Sequence, residues 1–182
     1  MTNELKDIKV AILVTDGFEQ SEMEKPKEAL ELAGAKTHLI SPKNDKVKGW
    51  KEKNWGDEFS TDLNLEKAKA GDYDALVLPG GVMNPDKLRT DPKAISFIKE
   101  FVDNQKPIAA ICHGPWTLIE ANGVKGKTMT SWSSIKSDLA NAGAIWVDQE
   151  VVRDDKLVTS RKPDDLPAFN AEMIKLFSEK KA

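Results

Sequence analysis

The segment Ile108-Ala109-Ala110-Ile111-Cys112-His113-Gly114-Pro115 sets the single cysteine of the chain between an apolar run and a His-Gly-Pro turn. A thiol at a strand-to-helix turn projects past the sheet edge, with the backbone N–H groups that follow it aimed at the reacting centre. The dipole of the helix then favours the thiolate. Cys112 alone also reads as a small buried apolar residue, as most free cysteines are. The adjoining His113 and two further loops move the reading towards a nucleophile with a base beside it. Gly80-Gly81 reads either as a turn or as a backbone donor. In the second case the N–H of Gly81 is one half of an oxyanion hole and the N–H of His113 the other. Glu19, in Asp16-Gly17-Phe18-Glu19, either complements a helix N-terminus or turns its carboxyl across the strand ends towards Cys112. On the second reading a partly desolvated Glu19 keeps its proton and shares it with the thiol. His38 reads as a strand residue with no special task. Two histidines far apart give no metal-ligand spacing, and no Gly-x-x-x-x-Gly-Lys or Gly-x-Gly-x-x-Gly pattern is present, so neither metal nor cofactor is expected.

These three loops need a scaffold, and the pattern supplies one. Residues 9–14 form a short, β-branched apolar run ended by Asp16-Gly17, as in a strand buried on both faces. A helix is expected over 21–33, closed by Gly34, with Pro26 either kinking it or starting its regular part. Strands follow at 36–40, 73–78 and 107–111. Helices are expected over 63–70, over 92–104 with Ile95, Ile98, Phe101 and Val102 on one face, from Pro115 to Asn122, over 133–142 and over 165–177. Strand-like pieces lie near 128–130, 144–147, 150–152 and 157–159. Residues 43–62, rich in lysine and carrying Trp50, Trp55 and Phe59, read as an excursion or hairpin outside the main sheet. The alternation implies one α/β domain over residues 1–182, with a mostly parallel, flavodoxin-like sheet and helices on both faces. In such sheets, sites lie off the carboxyl ends of the strands, where all three loops fall.

Composition narrows the rest. The chain has 182 residues, and 40% of them are hydrophobic, which places it among globular proteins rather than disordered or fibrous ones. No apolar run approaches the roughly 18 residues of a membrane span. The polar residues 1–9 carry no secretory pattern. With one cysteine there is no internal disulfide, and a cytoplasmic setting is expected. The net charge of −3 argues against non-specific nucleic-acid binding.

Together, Asp16-Gly17-Phe18-Glu19, Leu78-Pro79-Gly80-Gly81 and Ala110-Ile111-Cys112-His113-Gly114-Pro115 resemble the PfpI/ThiJ (intracellular protease I) superfamily, whose fold is similar to that of the class I glutamine amidotransferases. Gly49-Trp50, Gln149-Glu150-Val151-Val152 and the run from Thr159 to Phe169 resemble its PfpI-type branch. The resemblance implies a nucleophilic Cys112 hydrogen-bonded to Glu19, with His113 as base or proton shuttle. It also implies a homo-oligomer in which a carboxylate from a neighbouring subunit completes a triad with His113. The matching position is Asp86, one methylene shorter than the Glu of many relatives, and Asp86 also reads as a helix N-terminal acid. The activity implied is cysteine-dependent chemistry on reactive dicarbonyls or glycated groups, as a protein or nucleotide deglycase or a cofactor-free glyoxalase in stress protection. The alternatives are an intracellular cysteine peptidase and a non-enzymatic oxidation sensor acting through Cys112.

Overall fold

A computed structural model describes residues 3–179. The outermost residues of the 1–182 domain reading, 1–2 and 180–182, lie outside them. In chain order the strands and helices are β1 (Lys9–Leu13), β2 (Phe18–Glu19), α1 (Gln20–Leu32), β3 (Lys36–Ser41), β4 (Lys46–Lys51), β5 (Asn54–Ser60), β6 (Leu63–Asn64), β7 (Ala75–Leu78), α2 (Met83–Leu88), α3 (Pro92–Asp103), β8 (Ile108–Ile111), α4 (Trp116–Glu120), β9 (Thr128–Met129), α5 (Lys136–Asn141), β10 (Ile145–Trp146), β11 (Val151–Asp154), β12 (Leu157–Ser160) and α6 (Leu166–Ser178).

The main sheet has seven strands in the order β11-β12-β8-β7-β1-β3-β6. All its pairings are parallel except that of β11 with β12. The β1, β7 and β8 runs are almost wholly apolar because both faces of each strand are covered. Alternation divides their side chains between two cores. Ala11, Leu13, Leu76, Leu78 and Ala110 pack with Phe97, Ile98 and Phe101 of α3 and Leu118 of α4. Val10, Ile12, Val77, Ala109 and Ile111 pack with Met23 and Leu30 of α1 and Phe169, Met173 and Phe177 of α6. This is one α/β domain with a mostly parallel sheet between helical layers. Because β1, β7 and β8 are neighbours, their carboxyl ends bring the three loops side by side.

The expected helix over 63–70 is not formed. Leu63–Asn64 instead adds to β3 as the edge strand β6, in register Ile40↔Leu63. The backbone stays extended at Asn64 and Ala68, and two single 3-10 turns follow, Leu65–Lys67 and Ala70–Asp72. The Asn64 side chain accepts from the Glu66 N–H at 2.8 Å, so it starts a turn rather than continuing a helix. Helix α1 runs unbroken through Pro26 from Gln20. A short helix, α2, follows the Gly80-Gly81 loop with Asp86 in its first turn, as the helix N-terminal reading of that residue expected.

Residues 46–60 form the antiparallel hairpin β4–β5, which adds to β2 in a separate three-stranded sheet. Two polar side chains fasten it to the body. Asp16 accepts from the Lys48 N–H at 2.8 Å and pairs with the Lys43 ammonium. The buried Gln20 amide donates to Asp57 at 2.7 Å and accepts from the Asp57 N–H at 2.8 Å. The hairpin thereby holds Trp50 over the strand ends.

Candidate active site

Cys112 directly follows β8 and has a φ of 61°, in the left-handed region that a side chain enters only at a cost. Both flanking peptide groups are held. The Cys112 N–H donates to the Ser160 carbonyl at 3.0 Å, and the Cys112 carbonyl accepts from the Trp132 N–H at 3.0 Å. The Gly114 N–H closes the turn onto Ile111 O at 2.9 Å. A Cβ at Gly114 would meet the carbonyls of Leu78 and Ile111, so only glycine fits the bend. The result is a thiol turned out of the strand into a cavity of about 470 Å³, whose walls include Glu19, Glu22, Trp50, Gly81, His113 and Trp132. Cys112 is 8% exposed, open to that cavity and to little else.

Two backbone N–H groups, those of Gly81 and His113, point at the Cys112 sulfur and favour its anion. Gly81 presents its N–H with a φ of 78°, and a Cβ there would strike the Gly17 carbonyl and the Glu19 nitrogen. Two amides converging on one point in a half-dry cavity are what an oxyanion requires. The loop carrying them is braced by Asn84, buried at 1% exposure. Its amide donates to Pro79 O at 3.0 Å and Gly80 O at 3.1 Å, while its oxygen accepts from the Thr15 N–H at 2.8 Å. That ties the loop after β7 to the loop after β1.

The carboxyl against the thiol belongs to Glu22, not Glu19. Glu19 ends β2 at the N-cap position of α1. It is half-exposed, its oxygen accepts from the Ser21 hydroxyl at 3.5 Å, and it contributes to the cavity wall. Glu22 is fully buried one helical turn later, and its Oε2 accepts from the Gly80 N–H at 2.9 Å. Its other oxygen, Oε1, has no hydrogen-bond partner among the described residues. A Cβ on Gly80 would press on both Glu22 and Cys112, so glycine there lets carboxyl and thiol meet.

Burial, reinforced by the charge of Glu19, pushes the Glu22 carboxyl up to about 8. At neutral pH Glu22 therefore keeps its proton and can donate it to sulfur. Burial also pushes the Cys112 thiol up, as does the Glu22 charge whenever that carboxyl is ionised, while the two amides pull it down. The two groups cannot both be anionic side by side, so the pair keeps at least one proton, and Glu22 is the carboxyl that holds it when the thiolate forms.

His113 is 6% exposed, and its Nδ1 is 3.3 Å from the Cys112 sulfur. The ring lies edge-on to Trp116, with centroids 5.2 Å apart, and stacks over Trp132 at 6.2 Å. Burial alone lowers its pKa, so the imidazole is neutral at pH 7 and able to accept a proton. Asp86 lies exposed on α2 and is not among the residues lining this cavity. His38 faces the Tyr73 hydroxyl at 2.9 Å, away from the site. Helix α4 spans five residues, so the field of its N-terminus is small beside the two amides at the sulfur. Among the described residues no three His, Cys, Asp or Glu side chains converge as metal ligands would, and no helix is long and apolar enough to cross a membrane.

The chain is similar to known proteins along most of its length. YraA of Bacillus subtilis, whose name proposes a cysteine protease, is 45% identical over 168 residues, covering 92% of this chain and 97% of YraA. General stress protein 18 of the same organism is 42% identical over 172 residues, or 94% of this chain and 98% of the relative. A solved two-domain protein of Anabaena variabilis, with DJ-1/ThiJ/PfpI-like and ferritin-like domains, superposes with a TM-score of 0.87 at 36% identity, covering 93% of this chain and 48% of that one. The model of the DJ-1/PfpI family matches residues 8–176, and the chain belongs to that family.

Proposed function

We propose that the protein is a cysteine-dependent enzyme acting on small reactive dicarbonyls or their early adducts, as a glyoxalase or deglycase. The observation that carries this reading is the convergence on one sulfur of a neutral acid (Glu22), a neutral base (His113) and two backbone donors (Gly81, His113), at the wall of a small cavity.

The chemistry follows from those groups. The Cys112 thiolate attacks the aldehyde carbon of methylglyoxal, a C–S bond forms, and the carbonyl electron pair moves onto oxygen, where the two N–H groups hold it. His113 Nδ1 takes the proton from the former aldehyde carbon and returns it to the adjacent carbon. The hemithioacetal becomes a thioester of lactate, and water releases lactate and the thiol. No electron leaves the substrate, so no external oxidant or reductant enters. Deglycation of an amine or thiol adduct begins with the same attack.

A second reading, a cysteine peptidase, is favoured by the name of YraA and by the same nucleophile, base and donors. Against it stands the site's size: about 470 Å³ between Trp50 and Trp132 suits a small substrate better than an extended peptide. The third reading, an oxidation sensor, needs no turnover and rests on the reactivity of the thiol alone.

The deciding experiment is lactate formation from methylglyoxal by the purified protein, with Cys112→Ala and catalase-treated controls. Turnover that vanishes in Cys112→Ala, with unchanged circular dichroism, is the expected result. Casein or peptide cleavage without lactate would replace it with the peptidase reading. Rapid peroxide modification without any turnover would leave the sensor.

A further inference from the structure

The Nε2 of His113, the ring nitrogen facing away from the sulfur, meets the Ser134 hydroxyl at 3.3 Å. Ser134 stands in the single 3-10 turn Ser133–Ile135 just after Trp132, the residue whose N–H grips the Cys112 carbonyl and whose ring stacks on His113. Cys112 Sγ, His113 Nδ1, His113 Nε2 and Ser134 Oγ thus form one chain running from the buried thiol to an exposed hydroxyl of the same molecule.

The choice of a hydroxyl has a chemical consequence. A carboxylate at Nε2 only accepts. It would fix the proton on Nε2 and favour the imidazolium. A hydroxyl both donates and accepts. With the proton on Nε2, Ser134 Oγ accepts it and Nδ1 is a base aimed at sulfur. With the proton on Nδ1, that N–H faces the thiolate and the Ser134 O–H turns to donate to Nε2. Neither neutral form loses its outer hydrogen bond.

We propose that Ser134 is a positioning residue that holds the His113 ring against Cys112 in both neutral tautomers, so that one chain contains a complete Cys112–His113–Ser134 relay. In the thiol-to-thiolate step the proton leaves Sγ for Nδ1, the Nε2 proton passes to Ser134 Oγ, and the serine hydrogen passes to water. Charge and atoms balance, with the ring ending as the other neutral tautomer. Among the described residues, Cys112 meets the ring at Nδ1, and Glu22 is the titratable group that faces the thiol. The ring's other packing partners, Trp116 and Trp132, are uncharged. The proposal rests on the assignment of Cys112 and His113 as the reacting pair, and its test must not depend on a particular substrate.

Three forms of the full-length protein, wild type, Ser134→Ala and Ser134→Thr, are compared in two ways. The first measurement is the ¹⁵N chemical shifts of the His113 ring. Wild type and Ser134→Thr are expected to give the averaged shifts of two exchanging neutral tautomers, and Ser134→Ala the shifts of one. The second is the iodoacetamide alkylation rate of Cys112 against pH, whose midpoint is expected to shift by about half a unit or more in Ser134→Ala and to return in Ser134→Thr. If methylglyoxal is turned over, kcat should fall about tenfold in Ser134→Ala with KM within about twofold, the pattern of a lost proton-transfer arrangement rather than lost binding. Unchanged ring shifts and an unchanged alkylation midpoint in Ser134→Ala would overturn the proposal. A protein that forms no lactate but shows both expected changes would sink the dicarbonyl reading and leave the relay standing.

Discussion

At the scale of single residues, the carboxyl beside the thiol carries the sharpest expectations. A protonated Glu22 donates to the Cys112 thiolate, so Glu22→Leu should move the iodoacetamide midpoint up by about a unit or more, as loss of a donor to an anion requires. A downward move would mean that Glu22 is ionised in the resting protein. Glu19→Leu, which removes a half-exposed group bonded to Ser21, should leave the midpoint within about half a unit. A second consequence concerns stability. The Glu22 pKa is raised from 4.5 to about 8 by folding, so its stabilising contribution is fully present below about 4.5 and is lost as pH rises through about 8. Glu22→Gln cannot ionise. The melting temperature of Glu22→Gln relative to wild type should therefore climb between those two pH values, by the equivalent of a few kcal/mol in order of magnitude. A flat difference across that window would show that Glu22 is not held neutral. The sequence did contain a sign of Glu22. It shares a helical face with Pro26 and Leu30, at i+4 and i+8, and all three are buried. What hid it was the run Gln20-Ser21-Glu22-Met23-Glu24, which reads as a solvated helix start, while Glu19 lay closer to the strand end.

At the scale of elements, three parallel strands ending in adjacent loops were legible because short apolar runs bounded by Asp-Gly, Pro-Gly-Gly and Cys-His-Gly leave little other reading. The bracing of those loops was not. The Asn84 side chain hydrogen-bonds backbone groups of the loops after β1 and β7, and backbone partners have no sequence signature. The residues 63–70 misread has a similar origin, since pairing with β3 overrides a weak helical pattern. The loop after β7 can be tested directly. Gly81→Ala adds a Cβ at a φ of 78°, against the Gly17 carbonyl and the Glu19 nitrogen. Backbone strain and the clash together should cost about 2–4 kcal/mol of stability. The melting temperature should fall accordingly, and any turnover by more than tenfold because the N–H leaves the sulfur. An active, fully stable Gly81→Ala protein would remove that N–H from the oxyanion site.

At the scale of the whole molecule, the surface around the site bears on assembly. Val82 and Trp132 sit at the cavity wall, 56% and 39% exposed, and Trp55 on the hairpin is 47% exposed. Exposed large apolar side chains such as Val82 and Trp132 at the opening, with Trp55 packed on Trp50 of its wall, are a feature of surfaces that meet a partner. The Asp86 N–H donates to the Val82 carbonyl, so the two stack one helical turn apart at the start of α2. A copy that covered Val82 would therefore meet Asp86 in the same contact, and in a two-fold pair each chain would offer both residues to the other. Within its own chain Asp86 is exposed and absent from the cavity lining, so a role at His113 can come only across such an interface. Light scattering at working concentration should give at least a dimeric mass, and Val82→Asp, a charge placed in the middle of the contact, should shift that mass towards the monomer. Because Cys112 and Ser134 already take both nitrogens of His113 within one chain, Asp86→Asn should leave turnover within about twofold and the mass unchanged, and a larger loss would mean that a partner's carboxylate displaces Ser134 from Nε2. A monomeric wild-type protein that still turns over methylglyoxal would withdraw Asp86 from the mechanism. The catalytic groups would then be those one chain assembles alone: Cys112, His113, Glu22 and the backbone N–H groups of Gly81 and His113.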